Sequence, residues 1–184
     1  VGDLTLTLDL YRPASRQISP LIVWVHGGAW RAGNKSSMPL QELVAEGHAI
    51  ASVDYRLTTQ AKFPANVHDI KAAIRFLRAK GSPLGLDAEQ IVIAGASAGG
   101  HLAALVSVTN DHAALEGTIG DHLETSSSVQ GVISFFGASN LTTILNQSTP
   151  HGLSVRIPAL KLLLGGTPEE VPDTARLASP VFHT

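Results

Sequence analysis

Ser97 sits in the stretch Gly95-Ala96-Ser97-Ala98-Gly99, with the apolar run IVIA before it and Gly100-His101 after it. Most serines face solvent or cap helices, so a lone serine needs no explanation. This one is fenced by small residues on both sides, which implies that something approaches its backbone closely. The pattern is G-x-S-x-G, in which a sharp strand-to-helix turn holds the serine in a strained conformation. Bulky neighbours two positions away would collide in such a turn. The hydroxyl then stands clear of the sheet at a helix N-terminus, where free N–H groups and the helix dipole favour developing negative charge. That is the chemistry of nucleophilic attack on a carbonyl. The competing reading, a serine that only caps the helix 98–109, is the weaker one where a buried strand precedes and a helix follows.

A second motif fits the same chemistry. His26-Gly27-Gly28-Ala29-Trp30 closes the apolar run LIVWV, so it leaves the same edge of the sheet as Ser97. Taken alone it is an ordinary glycine turn. Beside a nucleophile, glycine-rich backbone can aim unobstructed N–H groups at an oxyanion, and losing one such donor costs on the order of 10²–10³ in rate.

The elements that must position these corners follow from periodicity. Leu4, Leu6, Leu8 and Leu10 alternate with polar residues, the mark of a half-buried strand. After a turn rich in Pro and Ser, the runs at 21–26, 49–53 and 91–95 are apolar without alternation, as strands of a parallel sheet buried on both faces are. Residues 37–47 form a helix candidate ending at Gly47. A stronger one runs from Pro64 to Gly81, with Val67, Ile70, Ile74 and Leu77 on one stripe. VQGVISFFG at 129–137 is the last strong strand, with one further apolar helix candidate at 158–164. The polar stretch from Asn110 to Ser128 reads as a surface loop or small insertion. Alternation of strand and helix predicts an α/β domain with a mostly parallel sheet, reactive groups lying at the carboxyl ends of its strands.

Composition sets the outer bounds. The 184 residues, 44% hydrophobic and 15% charged, supply one core and read as a single domain spanning 1–184. A net charge of −2 gives no basic face for nucleic acid. No apolar run approaches the roughly 18 residues of a membrane span. The absence of cysteine excludes disulfides, thiolate zinc sites and a cysteine nucleophile, and leaves the compartment open. We expect a soluble chain, either cytoplasmic or secreted after signal-peptide removal. Val1 at its start implies processing or a sequence that begins inside a longer protein.

HGGAW at 26–30, VDYRL at 53–57 and GASAGGHLA at 95–103, in this order, resemble the α/β-hydrolase fold esterases of the hormone-sensitive-lipase-like superfamily. The similarity is closest to the bifunctional acetylxylan/feruloyl esterase-like (BD-FAE-like) group, with kynurenine formamidase-like enzymes nearby. It continues through LLGGTPEE and RLASPVFH at 163–183. The resemblance implies Ser97 as nucleophile and the backbone N–H groups of Gly28, Ala29 and Ala98 as the oxyanion hole. It places Trp30 at the substrate pocket and His26 in a structural role. Asp54 and Arg56 become scaffold charges, and His101 a packing or hydrogen-bonding residue. It implies no metal and no cofactor. The stretch FGASNL at 136–141 departs from the Gly-Pro-x-Asp-Leu pattern of these families.

In this fold the triad runs Ser, then acid, then His. No acid after Ser97 follows a buried strand, and Asp173 with His183 is the one pairing near the end in the right order. The expectation is therefore a domain incomplete at its C-terminus, with acid and histidine beyond residue 184, supplied by a C-terminal fragment or second chain. The function expected is cleavage of short-chain, aryl or acetyl esters, including acetyl or feruloyl groups on plant polysaccharide, through an acyl-enzyme. The alternatives are an arylformamidase or amidase of the same fold, or a catalytically inactive hydrolase-fold module.

Overall fold

The computed structural model describes residues 4–14 and 17–184. Part of the Pro/Ser turn, residues 15 and 16, lies outside the described residues. Five strands form one sheet among the described residues, in the order β1-β3-β2-β4-β5. They are β1 (Leu8–Tyr11), β2 (Ser19–Val25), β3 (Ala49–Val53), β4 (Leu86–Ala96) and β5 (Gly131–Phe135). β1 pairs antiparallel with β3, and every other pairing is parallel. The alternating Leu4–Leu10 stretch is strand only from Leu8, although its first residues keep the half-buried, exposed alternation.

The two faces of the sheet carry different loads. Leu21, Val23, Val25, Ala51, Ile91 and Ile93 face α2 (Ala65–Lys80) and α3 (Ala98–Val108) in the main core. The α2 stripe Val67, Ile70, Ile74 and Leu77 is fully buried against them. Each such side chain is worth about 1.5–3 kcal/mol of transfer free energy. Ile22, Trp24, Ile50 and Ala94 face the other way, onto Met38 and the short α1 (Gln41–Ala45). That helix is shorter than its pattern because Met38 and Leu40 reach this second core before it begins. Gly81 ends α2 with φ −58°, so it gives space rather than a left-handed cap. A methyl there would lie 2.8 Å from the Ala88 Cβ.

The segment 110–128 is more than a surface loop. It contains α4 (Ala113–Glu116), whose Leu115 is fully buried. Glu116 meets two buried α2 cations, Lys71 Nζ at 2.7 Å and Arg75 Nη1 at 3.2 Å. Arg75 also donates to the carbonyl oxygens of Glu116 and Ile119. Burial opposes ionisation of Glu116, but hydrogen bonds from Lys71 and Ser127 and the two cations outweigh it and hold the carboxyl below its usual range.

Beyond β5, α5 (Pro150–Leu164) starts eight residues earlier than its apolar half indicates. Thr149 caps it by accepting from Gly152 N at 3.1 Å, and Pro150 fits the first turn. Pro158 removes one helical hydrogen bond, but Ala159, Leu160, Leu163 and Leu164 bury the second half. α6 (Pro172–Leu177) follows. β5 is the outer strand, and Val132, Ile133 and Phe135 are each more than 40% exposed on it. No helix among the described residues is long and apolar enough to cross a membrane.

Removing the Glu116 charge leaves two buried cations with no anion beside them. Glu116→Gln is expected to lower unfolding free energy by about 3 kcal/mol, the low end for breaking a buried pair because Glu116 is partly exposed. The exposed Glu46→Gln should stay within about 0.5 kcal/mol in the same urea titration.

Candidate active site

β2 and β4 are adjacent and parallel, with Val25 opposite Gly95, so their carboxyl ends release the chain side by side. At the end of β4 the chain turns straight into α3 through Ser97, whose φ is +54° and ψ −118°. A side chain in that region is strained by about 1–3 kcal/mol and persists only where its surroundings over-determine it. Two bonds fix the corner: Ser97 N donates to Phe135 O at 2.9 Å, and Ser97 O accepts from His101 N at 2.9 Å. The Ser97 side chain makes no capping bond to α3 and is exposed. The helix-cap reading therefore fails, and the hydroxyl is free to react.

Glycines let the two corners interlock. A methyl at Gly99 would collide with the Val25 carbonyl oxygen and reach 2.5 Å from that of His26. A methyl at Gly27 would lie 2.9 Å from Ala96 O and 3.6 Å from the Ser97 Cβ. Gly27 therefore lies against the serine, and Ala29 shares a cavity with it. Gly28, Ala29 and Trp30 have φ of +115°, +51° and +60° in succession. The backbone N–H groups of Gly28, Ala29 and Ala98 have no acceptor among the described residues. Beside an exposed hydroxyl, these donors can stabilise a developing oxyanion.

Ser97, Ala98, Ala29 and Trp30 line one cavity of about 650 Å³. Its far side comes from the 136–147 loop and α5, with Ser139, Asn140, Thr143, Gln147 and Arg156 as polar lining. Five described non-glycine residues have positive φ, and four of them (Ala29, Trp30, Ser97 and Phe136) line this cavity. Asp111 is the fifth. Neither an acid nor a histidine lines it among the described residues.

The remaining polar residues singled out in the sequence are braces. His26 is buried, stacks on Tyr55 at 4.4 Å and lies 2.7 Å from Gly27 O through Nδ1, while Tyr55 Oη donates to His26 O at 2.9 Å. Burial lowers the His26 pKa. Asp54 accepts from Lys35 N at 2.8 Å and from Thr7, and Arg56 clasps the buried Asp69. Asp173 and His183 are not brought together: His183 Nε2 meets Leu177 O at 2.9 Å and its ring packs edge-on against His112. Trp30 is 6% exposed, so it is at once a packed residue and a cavity wall.

His101 is fully buried on α3. Trp30 Nε1 donates to its Nδ1 at 3.0 Å, and its Nε2 lies 2.7 Å from Ala178 O. Burial pushes its pKa down to about 4, against a smaller upward pull from the Ala178 carbonyl. Of the polar lining, Ser139 and Asn140 fall in the FGASNL stretch singled out in the sequence, whereas Thr143, Gln147 and Arg156 gave no signal there. Thr143 and Gln147 reach the cavity from the segment between β5 and α5, and Arg156 from α5 itself.

Residues 8–184 match the BD-FAE family. The chain is 30% identical over 97% of its length to esterase LipC of Mycobacterium tuberculosis, and it spans 44% of that protein. Among solved structures it is similar to a bifunctional GH43-CE protein of Bacteroides eggerthii, with 35% identity, a TM-score of 0.84, and 96% of this chain and 24% of that one covered. It is also similar to esterase 2 of Thermogutta terrifontis phosphoramylated by tabun, with 28% identity, a TM-score of 0.75, and 100% and 63% covered.

Two outcomes follow. Gly99→Ala should destabilise by more than about 3 kcal/mol, because the added methyl meets backbone rather than a yielding side chain. Gly131→Ala, whose methyl would find Val92 Cγ2 at 3.5 Å, should change the denaturation midpoint little. His101 is neutral in the fold, with a pKa near 4 against an unfolded value near 6.5. The unfolded chain therefore binds a proton first as pH falls. Stability from this residue is full above about 6.5 and is lost progressively down to about 4. Melting curves from pH 7 to 4 should show that loss, and it should be smaller in His101→Asn.

Proposed function

The chain belongs to the BD-FAE family and has the α/β-hydrolase fold, and from that membership we propose that it is a serine carboxylic ester hydrolase working through an acyl-enzyme on Ser97. The single observation that carries this reading is the convergence on one cavity of an exposed, strained serine and the acceptor-free backbone N–H groups of Ala29 and Ala98, with that of Gly28 next in the chain. Ser97 Oγ attacks the ester carbonyl carbon while an imidazole takes its proton. The carbonyl oxygen becomes an oxyanion held by the N–H groups of Gly28, Ala29 and Ala98. The tetrahedral adduct collapses, the C–O bond to the alcohol breaks, and the imidazole returns the proton to the departing alkoxide. Water, deprotonated by the same imidazole, then attacks the acyl carbon, the bond to Ser97 Oγ breaks, and Oγ takes the proton back from the imidazole as the acid leaves. A related esterase that tabun phosphoramylates supports a covalent route.

The imidazole and its acid partner, in this reading, come from residues outside 1–184 that pack along β5 and complete the domain. Two features support it: the cavity lacks acid and histidine among its described lining, and β5 exposes apolar side chains along its free edge. The solved relatives are longer than the region matched here. The substrates we propose are small acyl or aryl esters of hydroxyl-rich alcohols, with acetyl and feruloyl groups on polysaccharide the leading candidates. Ala29, Ala159 and Leu160 give an apolar wall for the acyl group, and Ser139, Asn140, Thr143 and Gln147 offer hydrogen bonds to hydroxyls.

The test is a panel of p-nitrophenyl esters with the full-length protein and its Ser97→Ala variant. Ser97→Ala should lose at least about 10³-fold in kcat, since removing the nucleophile leaves only binding and the oxyanion donors. Residues 1–184 alone should also sit near that residual level. Equal rates in wild type and Ser97→Ala would end the assignment, and failure of a fluorophosphonate probe to label the full-length wild type would point to an inactive module.

A further inference from the structure

Trp30 is a large aromatic residue with φ +60°, at the end of three consecutive left-handed residues that set the oxyanion loop. Such a backbone needs external fixing. Thr58 N donates to Trp30 O at 2.8 Å, and Gly28 O accepts from Arg31 N and Ala32 N. These bonds hold the backbone of the loop. The Trp30 side chain has one polar partner, Nδ1 of His101 at 3.0 Å, with the two rings edge-on at 5.4 Å and 88°.

The tautomer of His101 follows from its partners. An indole N–H is a donor only, so Nδ1 must be bare and accept. The carbonyl of Ala178 is an acceptor only, so Nε2 must carry the proton and donate. Both ring nitrogens are thus committed in one neutral form, and neither is available to take the Ser97 proton. The backbone of the same residue closes the first turn of α3 on the Ser97 carbonyl. His101 therefore touches both corners of the site, Ser97 through its main chain and Trp30 through its ring. Its other nitrogen ties them to the segment after α6, where Ser179 Oγ donates to Ala175 O and accepts from Leu141 N.

From this geometry we propose that His101 is a positioning residue for ester hydrolysis: its bare Nδ1 holds the Trp30 indole so that the 28–30 backbone keeps its N–H groups on the oxyanion. The inference rests on the serine esterase reading of the site. It assigns His101 an effect on transition-state stabilisation and none on substrate binding, because the loop acts on charge that exists only after attack.

Two replacements separate the nitrogens of the imidazole. His101→Asn can place Oδ1 where Nδ1 stood, keeping the acceptor for Trp30 and dropping the bond to Ala178. His101→Gln can place Nε2 where the imidazole Nε2 stood, keeping the donor to Ala178 and leaving the indole N–H without an acceptor. Steady-state kinetics on p-nitrophenyl acetate with the full-length protein should give His101→Asn within about threefold of the wild-type kcat. His101→Gln should lose about 10- to 100-fold in kcat with KM within about twofold, a fraction of the loss for one oxyanion donor. Trp30→Phe keeps an aromatic ring but removes the N–H together with the five-membered half of the indole, so it should fall by at least a similar factor, and His101→Gln added to it should cost little more. Equal falls in Asn and Gln, or a loss confined to KM, would overturn the proposal. If the His101 variants do not fold, a folded Trp30→Phe with wild-type kcat overturns it by itself. Ser97→Ala run alongside keeps the two readings apart: its full activity sinks the serine assignment, whereas an inactive Ser97→Ala beside a fully active His101→Gln sinks only the role of His101.

Discussion

The site depends on how closely two chain reversals can approach. Parallel pairing of β2 with β4 puts their ends within one strand spacing, about 4.8 Å, before either chain turns. From there the first turn of α3 must pass the Val25 and His26 carbonyl groups, and only a residue without Cβ fits at position 99. Gly95 meets the same limit, since a methyl there would crowd Gly99 and lie 2.8 Å from Val25 O. Gly137 extends it to β5, where a methyl would lie 2.5 Å from His101 N. Small residues in this region are a condition of distance between backbones. Reactivity is its consequence, because the same approach sets a hydroxyl beside amide groups with no other acceptor.

How much of this could be read from the sequence depends on how local each cause is. β2, β3 and the second half of β4 show as unbroken apolar runs because both their faces are covered. α2 shows because its core stripe repeats at helical spacing. Ser97 and the 27–29 loop show because the geometry they need is backbone geometry, which glycine and alanine advertise in place. Partners distant in the chain leave no such trace. Glu116 looks like one more acid in a polar stretch until Lys71 and Arg75, more than 40 residues earlier, are seen to meet it. The first half of α5 is hidden for a different reason: its burial is slight, so no apolar stripe marks it, and its helicity rests on the local Thr149 cap and Pro150.

Charge is distributed to match the chemistry. Two ionic clusters join α2 to neighbouring segments, Arg56 with Asp69 and Lys71 and Arg75 with Glu116, and a third pair joins Lys35 to Asp9 on β1. Each draws a loop onto the sheet. The described cavity lining contains no anion, and Arg156 is its one cation. An oxyanion forming at Ser97 therefore meets no like charge within its own walls, and the amides beside it are set in place before the charge appears.

Strain follows the same map. A left-handed non-glycine residue opposes folding by about 1–3 kcal/mol, so a chain gains nothing by clustering several unless their conformations are needed together. Ala29, Trp30, Ser97 and Phe136 come from three different strand ends, yet all line one cavity. Two of them are held by bonds to other segments, Trp30 by Thr58 and His101 and Ser97 by Phe135, and His101 also closes the first turn of α3 on Ser97. His101 appears in both sets of restraints, and Ala178 anchors it in turn. The strained residues and their clamps thus form one connected unit across β2, β4, α3 and the segment after α6. A unit of this kind holds its donors in place before substrate arrives, so little reorganisation remains for the moment of attack.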